Sequence, residues 1–368
     1  MKILLLSCST GEGHNHCALA AKEALEEKGH EVEFLDTLHM FGSSGPLSFD
    51  KILNRISSKK PKMFGKMYHA GELVSASGVT SPVYIANTLH APELGEFIEK
   101  NGYDAVVCSH LFPMEALTYL RRRGKCRAKC YGILSDYTCI PFLAETELDA
   151  YFIPHADVKT DCINTGISSE KLIVTGMPVS RKFAENTPKA DARKMLGLPA
   201  EKKIYLIMTG GIGCGDAVSL CEKLRRIPSD ETLFCVLPGR NEELRASLEE
   251  KYSGENVLVV PFTEKVALYM RASDVLLSKA GGISSSEAAV CGIPLVHTMI
   301  IPGVETLNAE FFEAHGMSFF ASNTDEAARF ADRLVYDEKT AEKMLEAQKN
   351  CVPADGAARI ADYVTENN

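Results

Sequence analysis

The sequence contains no tryptophan, and no apolar run in it approaches the length of a membrane-spanning helix. The first absence removes the usual interfacial anchor and leaves Tyr, Phe and Leu for that task. The second excludes a helical integral membrane protein. The apolar residues 3–6 are too few for a signal peptide and give way to polar ones at Ser7. Twelve cysteines occur without a single C-x-x-C pair. Cys126 and Cys130 come nearest, with neither a second such pair nor histidines at zinc-ligand spacing. Cys108 and Cys235 fall inside apolar strand-like runs, where a thiol behaves as a small hydrophobe, so reduced thiols are expected. Repeats and low-complexity segments are absent. Basic residues are in deficit, 40 Lys and Arg against 49 Asp and Glu, and the net charge of −9 argues against a general nucleic-acid binder.

What is present suits two soluble domains. The 368 residues are long for one domain, and each half is able to bury its own core. Short apolar runs alternate with helical patterns along the whole chain, which implies parallel sheets covered on both faces. Prolines 178, 188 and 199 among polar residues mark a linker over 177–200. The expected division is a first domain 1–176, a second domain 201–353, and a terminal helix over 354–368.

The most informative stretch is residues 274–308, DVLLSKAGGISSSEAAVCGIPLVHTMIIPGVETLN. A buried strand over 274–278 runs through Gly281 and Gly282 into a helix opened by Ile283 and Ser284, which stops near Gly292. A strand that turns through glycines into a helix bares main-chain N–H groups at the carboxyl edge of a sheet, where phosphates bind. Glu287, read as a first-turn residue, is placed to reach past such phosphates to ribose hydroxyls. Ser284 and Glu287 equally spell a capping box, which needs no ligand at all. A second Pro-Gly loop, 301–308, then offers Glu305, Thr306 and Asn308 as ligands for a sugar.

Four further loops follow strands. The first, S-T-G-E-G-H-N-H, places His14 at a helix start above the sheet edge, where an imidazole can take a proton from a hydroxyl. Its Gly11-x-Gly13 lacks the third glycine of a dinucleotide fingerprint, position 16 being His16. His110 and Asp136 each follow a strand directly and read either as site residues or as caps. The loop after the strand at 203–208 holds four glycines, among them Gly210 and Gly211, whose amides suit a phosphate or sugar.

The pattern K-A-G-G-x-S-x-x-E-A-x-x-x-G-x-P, followed by P-G-x-E-x-x-N and preceded by T-G-E-G-H, resembles the lipid glycosyltransferases of GT-B architecture. The resemblance is to monogalactosyldiacylglycerol synthases, processive diacylglycerol glucosyltransferases and the enzyme that forms lipid II. It implies two Rossmann-like domains facing across a cleft, the second holding a UDP-sugar and the first a lipid acceptor. Gly281, Gly282, Ile283 and Ser284 would hold the diphosphate, Glu287 the ribose, Phe262 the uracil, and Glu305, Thr306 and Asn308 the hexose. Gly210 and Gly211 match a donor loop that normally carries a serine, and Val304 stands where these families usually carry Gln. His14 would be the catalytic base, with Asp136 and His110 in support.

No D-x-D pair suits a metal-held diphosphate, so neither a metal nor another cofactor is expected. Lys51, Arg55, Lys59, Lys60, Lys62 and Lys66 occur among Ile, Leu, Met and Phe64 with no acidic residue between them. In an acidic protein this composition fits an anionic membrane surface, and otherwise a solvated helix face. The expected activity is inverting hexosyl transfer to diacylglycerol or a glycosyl-diacylglycerol, by a cytoplasmic protein peripheral to the inner face of the cell membrane. One alternative is a UDP-sugar 2-epimerase, which shares the architecture but takes a soluble substrate and needs no basic apolar segment; a second is a non-catalytic UDP-binding or partner-recruiting subunit, since Val304 replaces a sugar ligand.

Overall fold

The computed structural model describes residues 1–9, 12–37, 61–76, 79–211, 213, 217–224, 231–252, 256–298 and 300–368, with only the backbone at 61, 62, 64 and 76. The chain divides into two units, Met1–Ser180 with Pro353–Asn368, and Arg181–Val352.

The first unit is built on β1 (Lys2–Ser7), β2 (Glu31–Asp36), β3 (Ala105–Cys108), β4 (Lys129–Ile133), β5 (Ala150–Ile153) and β6 (Leu172–Val174). They form one parallel sheet in the order β2-β1-β3-β4-β5-β6. Ile3, Leu4, Leu5 and Leu6 are fully buried, as continuous apolar strands covered on both faces must be. The chain leaves β1 towards one edge and returns to β3 on the other side of it. That reversal splays the loops after β1 and β3 apart and opens a crevice at their carboxyl ends.

The last helix, Gly356–Glu366, belongs to this unit and packs on the helix Glu12–Glu27. Lys28 pairs with Asp362, His30 Nε2 lies 2.8 Å from Thr365 Oγ1, and the ring of Tyr363 meets Tyr131 edge-on.

The second unit repeats the plan with β7 (Lys203–Met208), β8 (Thr232–Leu237), β9 (Val257–Val259), β10 (Val275–Ser278), β11 (Leu295–His297) and β12 (Phe319–Phe320). Its parallel order is β12-β11-β10-β7-β8-β9, so the reversal here lies between β7 and β10.

The stretch expected as a linker is mostly part of this second unit. It carries the helices Arg181–Ala184 and Lys189–Leu196. Arg193, buried, donates to the Ala272 and Ala200 carbonyls and to Asp274 at 2.8 Å. Asp274 also accepts from Lys189 and from the Ile204 amide. The prolines that suggest a linker in the sequence instead bracket two helices, the second of them held by the buried Arg193. Among the described residues no helix is long and apolar enough to cross a membrane.

Candidate active site

In the first unit the loops after β1, β3 and β4 converge because those three strands are neighbours. The helix after β1 runs Glu12–Glu27, which sets His14 in its first turn. His14 Nδ1 lies 3.0 Å from the Ser109 carbonyl and 3.0 Å from Ser135 Oγ. A carbonyl only accepts, so Nδ1 carries the proton and Nε2 is the basic nitrogen of the ring. Ser135 Oγ donates in turn to Asp136 Oδ2 at 3.3 Å, which leaves its lone pair to the imidazole. The result is an oriented histidine backed by a serine and a carboxylate, the arrangement a general base needs.

His110 takes the capping role that its position directly after a strand also allows. Its Nδ1 accepts the Phe112 amide at 3.2 Å and caps the helix Leu111–Arg122. Burial, and secondarily His14, push its imidazole well below the usual histidine range, so it is neutral. Its ring stands edge-on to His14 at 4.5 Å and to Phe112 at 4.5 Å. It walls the base. His16 is exposed.

Asn15 carries a role the sequence reading missed. Its amide accepts from Ser7 Oγ at 2.6 Å and donates to Ser9 Oγ at 3.0 Å, and Ser9 reaches Asp36. This network ties the first turn of the helix that carries His14 to the ends of β1 and β2, and its signal was the residue's place inside the same motif.

In the second unit, the helix after β10 is Gly282–Cys291, with Gly281 as its N-cap and no side-chain cap. The capping-box reading therefore fails: Ser284 is already the third helical residue. For the same reason Glu287 is the sixth, in the second turn and not the first, and its side chain is buried. The amides of Gly282, Ile283 and Ser284 have no partner within the helix, the condition that favours an anion.

Lys279, quoted in the motif but given no role by the sequence, is central here. A Cβ on Gly210 would lie 2.5 Å from Lys279 Cε, and one on Gly281 would lie 3.7 Å from its Nζ. Its side chain thus passes between the two glycine loops. Gly210 has φ +77°, a conformation that favours glycine on its own account. Lys279 pairs with Glu305, which also accepts the Ile301 amide at 3.0 Å, and both side chains are largely buried.

Asn308 is fully buried and donates to the Ala280 carbonyl at 3.0 Å. Two of the three residues expected on the hexose, Glu305 and Asn308, therefore brace the loop that precedes the helix. Thr306 is half-buried in the first turn of the helix Val304–Ala314. Gly303 starts that helix at φ +118°, a value only glycine adopts readily.

The Gly210–Gly211 turn is held from the loop after β8: the Arg240 amide donates to the Gly211 carbonyl at 2.9 Å. Arg240 also stacks its guanidinium 3.8 Å from the ring centre of Phe262, itself 46% exposed. Phe262 is thus a surface ring beside this loop, not a core aromatic.

Of the basic segment, Lys51, Arg55, Lys59 and Lys60 lie outside the described residues. Lys62 and Phe64 fall on the helix Pro61–Ala76 without described side chains. Elsewhere on that helix Met63, Met67, Leu73 and Val74 are exposed, as are Val79, Ile85 and Leu89 beyond it. The described cysteines are free thiols.

Residues 14–179 match the family described as monogalactosyldiacylglycerol (MGDG) synthase, and residues 197–350 match glycosyl transferases group 1. The processive diacylglycerol beta-glucosyltransferase of Bacillus cytotoxicus is 26% identical over 375 residues, covering 100% of this chain and 94% of that protein. MurG of Acinetobacter baumannii shares the fold with a TM-score of 0.64 at 15% identity, over 99% of each chain. Anabaena HepE, solved in complex with UDP and glucose, does so at 0.61 and 14% identity, over 100% of each chain. Two parallel Rossmann-like units of this kind, with these sequence matches, define a GT-B glycosyltransferase. Within that class, residues 14–179 match the monogalactosyldiacylglycerol synthase family, and the whole chain is similar to the processive diacylglycerol glucosyltransferases.

Proposed function

We propose that this glycosyltransferase moves a hexose from a UDP-sugar to a lipid acceptor, diacylglycerol or a glycosyl-diacylglycerol, with inversion at the anomeric carbon. The observation that carries the reading is His14, whose Nδ1 is tied to the Ser109 carbonyl so that Nε2 is the base. Nε2 takes the acceptor proton as the hydroxyl attacks, and a single displacement inverts the sugar. In the second unit the amides at the start of Gly282–Cys291 and the Lys279 ammonium stabilise the departing diphosphate. Glu287 binds the ribose and Phe262 frames the base. With a lysine at the diphosphate loop, donor binding proceeds without a metal. The names of the relatives support glucose as the hexose and diacylglycerol as its receiver.

Exposed Met63, Met67, Leu73 and Val74, on the helix that also carries Lys62 and Lys66, support a peripheral site on the anionic inner face of the membrane. The test is transfer from a panel of UDP-sugars to diacylglycerol in anionic vesicles, with chelator present. The anomeric configuration of the product is read by proton NMR. A product of retained configuration, or transfer that requires added metal, overturns the corresponding part. Reversing Lys59, Lys60 and Lys62 to Glu is expected to abolish sedimentation with anionic vesicles while UDP affinity stays unchanged; each basic side chain near such a surface contributes about 1 kcal/mol.

A further inference from the structure

The loops after β7, β8 and β9 stand side by side, because those strands are neighbours in the second sheet with β8 in the middle. The middle loop reads Pro238-Gly239-Arg240-Asn241. We propose that Arg240 is a positioning residue of the donor site. Its main chain holds the glycine turn that meets the diphosphate, its side chain holds the ring that frames the nucleobase, and it so keeps the two ends of a bound nucleoside diphosphate in register. The inference rests on the reading of Phe262 as the base frame and of Gly210 and Gly211 as part of the diphosphate site, and adds what couples them.

Two observations carry it. The first is an interlock of main chains. Gly239 has φ +65°, and a Cβ there would collide with the Gly210 carbonyl oxygen and lie 2.6 Å from that of Gly211. The two turns therefore pack backbone against backbone, at a separation that leaves no room for a side chain. The Arg240 amide bonds the Gly211 carbonyl, and Asn241 Nδ2 donates to the Gly213 carbonyl at 2.9 Å. Asn241 Oδ1 accepts the Leu244 amide at 2.9 Å, which roots the same loop in the helix Glu242–Tyr252. The backbone of Arg240 is thus tied to the glycine turn on one side and to a helix on the other.

The second is the side chain. Its guanidinium lies 3.8 Å from the ring centre of Phe262, three residues beyond the end of β9. Phe262 is exposed, so the core does little to set the orientation of its ring. A planar cation laid against the ring supplies that orientation while its own N–H groups stay in water. A ring ordered before the base arrives loses less freedom on binding, and affinity rises without a new contact to the ligand. One residue therefore joins, through its amide and its guanidinium, two loops that belong to strands on either side of its own.

The test is a double-mutant cycle on the full chain, with UDP affinity read by calorimetry and folding checked by denaturant unfolding. Arg240→Ala keeps the amide, and is expected to weaken UDP about three- to fivefold, the worth of one cation–π contact. In a Phe262→Ala background the same substitution is expected to leave UDP affinity unchanged, since no ring remains to be held. Arg240→Lys, which keeps the charge without the flat contact, is expected to fall between wild type and Arg240→Ala. In the transfer assay Arg240→Ala is expected to raise KM for the UDP-sugar by the same factor with kcat unchanged, because the base end is held alike before and during transfer. Gly239→Ala, which forces the turns apart, is expected to weaken UDP in both backgrounds alike, because it acts at the diphosphate end.

An equal loss from Arg240→Ala in both backgrounds would put the guanidinium on the diphosphate and overturn the proposal. Loss of UDP affinity in Phe262→Ala with none in Arg240→Ala overturns the positioning role alone. Wild-type UDP affinity in Phe262→Ala overturns the base-frame reading and the proposal with it, and a wild-type chain that binds no UDP overturns the donor reading itself.

Discussion

In the first unit the ends of β1, β3 and β4 present side chains: His14, Ser109, His110, Ser135 and Asp136. In the second, the ends of β7 and β10 present glycines and one lysine: Gly210, Gly211, Gly281, Gly282 and Lys279. The two sheets have the same kind of strand reversal, so topology does not account for the contrast. Chemistry does. A proton must be taken by one basic atom held in one orientation, and only a side chain with its own partners supplies that. A diphosphate spreads its charge over several oxygens and is met by many weak main-chain dipoles, which side chains would obstruct.

The contrast can be broken by experiment. His14→Ala is expected to lower kcat on the order of a hundred- to ten-thousand-fold while UDP affinity, measured by calorimetry, is unchanged. Near wild-type turnover would move the base elsewhere in the cluster, to Asp136.

Lys279 is the exception among the glycines, and its removal sharpens the comparison. Lys279→Met leaves Glu305 buried without its cation and is expected to destabilise the fold by about 3–5 kcal/mol in denaturant unfolding. The double variant Lys279→Met with Glu305→Gln is expected to recover much of that stability but not the UDP affinity. Recovery of both would make the pair purely structural.

Glu287→Ala is expected to weaken UDP by on the order of 1.5–3 kcal/mol, the worth of a charge-assisted hydrogen-bond pair, with the unfolding midpoint little changed. Unchanged UDP affinity in calorimetry would remove the ribose assignment.

The smallest effect concerns the two histidines that are buried among the described residues, one in each unit. Burial holds His297 down to about 3, between Ser285 and Ser318, and holds His110 well below its ordinary value. A histidine depressed on folding contributes stability that is present above about pH 6.5 and lost as pH falls below it. Between pH 6.5 and 5.5 each histidine is expected to remove at most about 1.4 kcal/mol. Unfolding measured across that range in His297→Gln should show one histidine's worth less slope than wild type. An identical slope would mean that His297 titrates alike in the folded and unfolded chain.

The sequence by itself determined which segments are strands, because fully buried parallel strands read as short continuous apolar runs such as ILLL at 3–6. It also determined the glycine loops, since a missing side chain at Gly210 or Gly303 is written directly in the chain and its backbone conformation tolerates little else. The tertiary structure decided the partners. His14 is oriented by Ser109 and Ser135, 95 and 121 residues away, which meet it only because β1, β3 and β4 are adjacent in the sheet. It decided that Glu305 and Asn308 brace the loop before Gly281, and that Arg193 draws part of an apparent linker into the second unit. It also decided where a helix starts: Gly281 as the N-cap took Ser284 out of a capping box and moved Glu287 to the second turn. Local backbone preference acts between neighbours and is legible in order along the chain. A hydrogen bond between residues a hundred positions apart depends on strand order, which no local pattern encodes.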